Sequence, residues 1–348
     1  MQALVAELTA RPADTVLACI DSSVEALHRH RDPVGRLTAP AIGTFESVEL
    51  ALSKERTLEV ARSLGVPVPR SLSVSDASEL ETAVAEIGLP CVLKPVTSWR
   101  SVGAGGERVA PLYIGDAAEA RLAGNSLVRP DAPALVQELA PGTRETIKLF
   151  RSEGRVLARL AMVVDRCWPP LGGSSVMRRT VSTPADSLAL AERLVGEIGL
   201  DGYSEVEFRR DALGRPLLME VNPRLSQSVE VAIRAGIDFP RMQLEWARGG
   251  RIPIPPRGAR VGLRVGWLAG DLRLLAGAAG GSPAPRPRLG PTLRAVASDY
   301  LLHRARLDGL DLHDPKPVAG ALAFALRGLR GRQSRAPAQL PEAPPGPS

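Results

Sequence analysis

At 348 residues the chain is long enough for two domains, or for one large α/β body with appendages, and for a sizeable core. Apolar residues make up 44% and aromatic residues only 3%, so that core must be aliphatic. The formal charge is +6, but the chain has four lysines, so 40 of its 44 basic residues are arginines. They stand singly, denser only near the C-terminus, which argues against a nucleic-acid partner.

Further classes fall away on simple grounds. Cys19, Cys91 and Cys167 show no C-x-x-C spacing, so neither a disulfide framework nor a zinc ribbon is expected, and a reducing cytoplasm fits. The opening "MQALVAELTARPAD" has no continuous apolar core, so it does not read as a signal peptide. No run approaches the ~20 apolar residues that span a bilayer, so no membrane association is expected. His28 and His30 lie two apart on a predicted helix, where they do not share a face, and both are expected at the surface.

In chain order, "TVLACI" (Thr15 to Ile20) predicts a buried strand and Ser22 to His30 a helix. Thr44 to Leu64 predicts a helix broken near Ser53 and ended by "GVPVPR". A strand at Ser71 to Val74, a helix from Asp76 to Ile87 and the buried strand "LPCVLKP" follow. Next come a glycine-bearing loop, Ser98 to Gly106, a helix near Gly115 to Leu122, and the strand and turn "PALVQELAPG". "RETIKLFRSEGRVLARLAMVV" predicts a hairpin turning at Ser152-Glu153-Gly154. The strand "SSVMRRTVS" and a helix over Pro184 to Ile198 precede a second hairpin, "GYSEVEFRRDALGRPLLMEVN". Beyond Gly250 the signal weakens: an apolar strand or helix at Val261 to Ala276, a break at "GGSPAPRPRLGP", and a short helix at Val318 to Leu329. "RQSRAPAQLPEAPPGPS" has the composition of a disordered tail. Helices between strands, with antiparallel hairpins, imply an α+β (mixed α/β) fold.

The second hairpin carries the chemistry. On a regular strand Glu220 and Asn222 share one face, while Leu217, Met219 and Val221 share the other. Centring the turn between Leu213 and Gly214 sets Glu207 across from Glu220, with Cβ atoms ~4.5–5.5 Å apart. Two carboxylates so close repel unless a cation or a shared proton compensates, and Asn222 adds a third oxygen. Mg²⁺ takes such ligands, completed by substrate phosphates and water. A half-exposed strand with a polar outer face is the plainer alternative. No P-loop or Rossmann glycine pattern is present, which leaves Lys94 and the Ser98 to Gly106 loop as phosphate-binding candidates. A lysine that merely extends from a strand end is the alternative for Lys94.

"LSKERTLEVARSLGVPVPRS", "LPCVLKP", the glycine loop, "VQELAPG" and "VEF…LLMEVNPR" occur in the order found in the ATP-grasp superfamily. The chain resembles that family over about Thr44 to Gly249, most nearly its carbamoyl-phosphate-synthase-like branch of carboxylate–amine ligases. The resemblance implies two lobes clasping ATP, with Mg²⁺ or Mn²⁺. It implies Lys54 and Lys94 on the phosphates, Glu138 and Leu139 at the adenine hinge, and Glu145 on the ribose. Glu207, Glu220 and Asn222 are then the metal ligands. Arg224 lies beside the transferring phosphoryl group, and Arg178 contacts the acyl phosphate or acceptor, unless Arg178 is a surface-strand residue. A carboxylate activated as an acyl phosphate is attacked by an amine.

The implied division is 1–43, a remnant of the α/β domain that precedes the ATP-grasp lobes; 44–130, the first lobe; and 131–250, the second lobe with the metal site. Residues 251–330 form a C-terminal extension and 331–348 a disordered tail. The short first segment predicts an open sheet edge completed by a second subunit, as in a homodimer, or a shortened chain. The expected partners are a small carboxylate and an amine. An ATP-binding relative without ligase turnover is the competing reading.

Overall fold

The computed structural model describes residues 1–320, apart from 103–104, 130–131, 171, 279–286, 311–313, 315 and 317–319. The chain divides into two compact units, Met1–Arg306 and Leu307–Ser348. In the second unit, residues 307–310, 314, 316 and 320 are described. The helix expected at Val318 to Leu329 (Gly320 apart) and the tail 331–348 lie outside the described residues.

The first unit opens with a parallel pair, β1 (Thr15–Leu17) and β2 (Ala39–Ala41), joined through the helix Asp21–Arg29. The helical run expected at Thr44 to Leu64 is two helices, Phe45–Leu52 and Lys54–Ser63. Thr44 accepts a hydrogen bond from the Ser47 amide, and Ser53 from the Arg56 amide, so each helix has its own side-chain cap. The break at Ser53 is a new N-terminus rather than a kink.

β3 (Ser71–Val74), β4 (Cys91–Pro95), β5 (Trp99–Val102), β6 (Gly105–Arg108), β7 (Leu112–Ile114) and β8 (Ala134–Glu138) follow. They form a small antiparallel sheet in the order β3-β8-β4-β7 and a separate β5-β6 pair. Helices Leu80–Ile87 and Ala117–Leu127 pack on the small sheet through Leu80, Val84, Ile87 and Ala120. Two residues of the loop expected to cover phosphates, 103 and 104, lie outside the described residues.

The larger sheet comprises β9 (Arg144–Ser152), β10 (Arg155–Trp168), β11 (Ser174–Val181), β12 (Gly202–Arg210), β13 (Pro216–Asn222) and β14 (Arg264–Gly266). Its order within the first unit is β13-β12-β9-β10-β11-β14, antiparallel throughout. Glu153 and Gly154, both at positive φ, make the tight turn between β9 and β10. One face of this sheet sends Ile147, Leu149, Val206, Phe208, Leu218 and Val221 into the main aliphatic core. Helices Lys54–Ser63 and Ala185–Ile198 cover that face, and each fully buried Leu or Phe there contributes about 1.5–3 kcal/mol.

The second hairpin corrects the expected alternation. Next to the turn, Phe208 pairs with Leu218 and Arg210 with Pro216, so the turn centres on Leu213. Met219 is then an extra residue, a β-bulge, after which Glu207 does face Glu220 and Glu205 faces Asn222. The two offsets cancel, so the expected pair stands. Leu218 and Val221, rather than Leu217, Met219 and Val221, face the core; Leu217 and Met219 pack with Ala140 on the other side.

Candidate active site

The sheet face opposite the main core carries the charged groups. Register places Glu220, Glu207 and Thr146 side by side across β13, β12 and β9, with Asn222, Glu205 and Lys148 in the next polar row. Residues directly opposite share a face, so this chemistry follows from three strands in fixed register.

Two lysines, one on a helix and one on the small sheet, reach the same place. Lys54, at the start of its helix, lies 3.8 Å from the Glu220 carboxylate and donates to Ser98 Oγ at 2.8 Å. Lys94, on β4, donates to Gln137 Oε1 at 2.5 Å. Burial lowers the Lys94 ammonium to about 8, against the opposing pull of Glu220. Burial favours the neutral form of Glu220 too, but Lys54 and Lys94 outweigh it and hold that carboxyl below its ordinary value. Glu207 goes the other way: burial and the charges of Glu220 and Glu205 raise it to about 7, although Arg144 opposes them at 3.9 Å. One carboxylate of the pair is thus ionised and the other poised near neutrality.

Asn222 donates to Glu220 at 3.2 Å, and Arg224 donates to Asn222 Oδ1 at 3.1 Å. Arg224 is also held by Asp21, the first residue of the Asp21–Arg29 helix. Glu138 and Leu139 line the same cleft as Lys94, Glu207, Glu220 and Arg224. The Glu138 carboxylate accepts from the Arg70 amide at 3.0 Å and from its guanidinium at 3.1 Å. Nine of the cleft's lining positions thus bring together Lys54, Lys94, Glu138, Leu139, Glu207, Glu220 and Arg224 with Asp21 and Arg144.

Two expected residues stand elsewhere. Glu145 is buried on the core side of β9, where Arg210 donates to both its oxygens at 3.0 and 3.2 Å. Because Arg144 faces the cleft, its neighbour cannot, and the ribose role expected of Glu145 does not fit this placement. Arg178 is fully buried, so the surface-strand alternative fails. It shares the sheet face of Arg144, since Val164 pairs with both, and donates to the carbonyl and hydroxyl of Ser175, a residue lining the larger cavity, at 3.2 and 3.0 Å. His28, expected at the surface, is buried and stacks on Phe45.

A buried network was not foreseen. Lys148, with no exposed surface, donates to Glu205, to Tyr203 Oη and Ser226 Oγ at 3.0 Å, and to Ser228 Oγ at 2.8 Å. Burial would raise Glu205, but Lys148 and Ser226 outweigh it and hold that carboxyl at about 2. The network ties the 226–228 loop after Arg224 to the sheet. Its signal was available: one of four lysines, in the middle of an apolar strand, two residues from Thr146 and four from Arg144. A larger cavity of about 950 Å³ adjoins the carboxylate pair, walled by Arg144, Thr146, Ser175, Leu225, Ser226 and Ser228.

Comparison with known proteins agrees with this architecture. Residues 131–270 match the family model described as ATP-grasp in the biosynthetic pathway with Ter operon. A D-alanine–D-alanine ligase of Pseudomonas putida is 28% identical over 209 residues, 56% of this chain and 63% of the ligase. The chain thus spans under two thirds of that relative's length. The carbamoyl phosphate synthase large chain of Clostridium acetobutylicum is 24% identical over 60% of this chain and 20% of its own. The biotin carboxylase domain of Hydrogenobacter thermophilus 2-oxoglutarate carboxylase, solved with MgADP, ADP and bicarbonate, superposes with a TM-score of 0.60. That match covers 76% of this chain and 60% of the other, at 18% identity. The fold is the ATP-grasp fold, and residues 131–270 match an ATP-grasp family model. Among the described residues no helix is long and apolar enough to cross a membrane.

Proposed function

We propose that the protein is an ATP- and Mg²⁺-dependent ligase that joins a small carboxylate to an amine. The observation that carries this reading is the partly buried Glu207–Glu220 pair, faced by Lys54, Lys94, Arg144 and Arg224. The likeness to a D-alanine–D-alanine ligase supports the reaction class.

The donor set suits the metal. Among the described residues no three His, Cys, Asp or Glu side chains gather as a metal site, so a cage of protein ligands is not offered. Two carboxylates and the Asn222 amide oxygen instead leave coordination positions for phosphate oxygens and water, as Mg²⁺ prefers. Bound there, MgATP supplies the γ-phosphoryl group that activates the carboxylate, with its charge screened by the cation.

The chain's own residues do the rest. Lys54 and Lys94 neutralise phosphate charge. Leu139 and Met219 offer apolar contact for the base, and Glu138 fixes the hinge through Arg70. Arg224, oriented by Asp21 and Asn222, lies beside the phosphoryl group in transfer and neutralises its charge. Arg144 sits where the cleft and the 950 Å³ cavity meet, and takes the contact expected of Arg178. Three unpaired cysteines are consistent with work in the cytoplasm, and the short β1-β2 pair with completion by a second copy.

The test is Mg²⁺-dependent ADP release across amino acids and small carboxylates, with Glu220→Gln as the control that removes one charge and keeps the shape. Release by the variant at the wild-type rate would refute the assignment.

A further inference from the structure

A second cavity, of about 570 Å³, reaches Glu220 and Asn222 from the N-terminal segment. Its walls are the helices Asp21–Arg29 and Phe45–Leu52, the start of Lys54–Ser63, and residues 97–99. Of the nucleotide groups described above, Lys54 and the start of the phosphate loop, Ser98 and Trp99, line it, while Lys94, Glu138 and Leu139 do not.

Aromatic residues are 3% of the chain, yet Phe45 and Trp99 both border this one space, beside His28. The His28 ring stacks on Phe45 at 4.2 Å, while Phe45 remains 48% exposed. A large apolar ring left half open, with its other surface already stacked, is a platform for a further ring. His28 is 8% exposed, and its Nδ1 has no hydrogen-bond partner among the described residues. Asp21, Glu25, Glu49 and Glu220 line the space against three cations, Arg29, Lys54 and Arg56. Glu25 pairs with Arg29, Glu49 with Arg56 and Glu220 with Lys54, which leaves Asp21, bound to Arg224, as the one carboxylate in excess of the lining cations.

We propose that this cavity seats the amine acceptor, and that the acceptor is a primary amine carried on a flat ring. The ring lies on Phe45 beside Trp99, and the ammonium group is drawn by the carboxylate rim and the aromatic faces. The cavity opens on Glu220 and Asn222, so a bound amine has its nitrogen toward the carboxylate pair. The word acceptor rests on the ligase reading; the binding site does not.

Phenethylamine is the probe, titrated by calorimetry and by tryptophan fluorescence without ATP. Saturable binding to the wild type is expected, weakened about tenfold or more by Phe45→Ala, a shift of about 1.4 kcal/mol. Phe45→Tyr should retain it, and n-butylamine, with the same charge and no ring, should bind about tenfold more weakly. Phe45 is half exposed, so the alanine variant should fold, which circular dichroism verifies. No saturable binding, equal binding by Phe45→Ala, or equal binding of n-butylamine overturns the site. Binding at Phe45 with no stimulation of ADP release by any carboxylate overturns the acceptor role alone. Because the titration omits ATP, its failure is separable from failure of the Glu220→Gln test.

Discussion

Replacing Lys148 by Met keeps the length of the side chain and removes its charge from the centre of the Tyr203–Glu205–Ser226–Ser228 network. The damage should be large, because Glu205 is 4% exposed and would keep its hydroxyl partners but lose its cation. Breaking a buried ion pair by removing one partner costs about 3–5 kcal/mol. The depression of Glu205 to about 2 from an ordinary 4.5, driven chiefly by Lys148 against burial, has the same sign and, at ~1.36 kcal/mol for each pKa unit, the same order of magnitude. A folded-state value below the unfolded one gives stability that is present above pH 4.5 and lost as pH falls toward 2. The wild type should therefore lose about that much over this window, and Lys148→Met should lose far less there, since its Glu205 is already driven toward the protonated form. Urea unfolding at pH 7 and pH 3, with Glu205→Gln and the double variant, completes the cycle. The double variant should recover most of the loss at pH 7. A cost under about 1 kcal/mol for Lys148→Met, or strict additivity in the cycle, would show that the pair is not coupled as the distances require.

Other expectations are more direct. Glu220→Gln should fold as the wild type does and lose Mg²⁺-dependent ADP release, read in a coupled assay. Lys94→Ala should weaken nucleotide binding in calorimetry, and Lys94→Arg should rescue it poorly, since a planar fork cannot occupy the buried position where one ammonium meets Gln137. Full rescue would show that charge alone matters. Ser53→Ala removes the cap that accepts from the Arg56 amide and should cost about 1 kcal/mol in thermal unfolding, without altering the carboxylate pair.

Much of the site was legible because strand pairing is arithmetic. Glu207 and Glu220 could be set face to face from a turn, and their two acids on an apolar hairpin demanded an explanation. The same arithmetic misjudged the path between them, since propensity does not announce a bulge at Met219. Glu145 shows what strand parity decides: Arg144 and Glu145 necessarily face opposite ways, and of the two only Arg144 lines the cleft. His28 and Asp21 were illegible for another reason. Their importance arises from contacts with Phe45 and Arg224, and nothing in local periodicity reports a partner 203 residues away. Lys148 lay between these cases, visible as an anomaly but without a partner until β9 and β12 were paired.

The bulge also changes what the hairpin can carry. A regular strand shows a pocket only every second residue, so neighbouring residues cannot both serve it. Met219 and Glu220 are neighbours, and both line the cleft. A chain lacking residue 219 would still pair Phe208 with Leu218 and Glu207 with Glu220, and so would keep its acids while losing the apolar wall beside them. Gaining or losing this one residue therefore changes the apolar wall of the cleft separately from its carboxylate pair. Under the proposed function, relatives that differ by a single insertion at this point would share the metal chemistry and diverge in the nucleotide they favour.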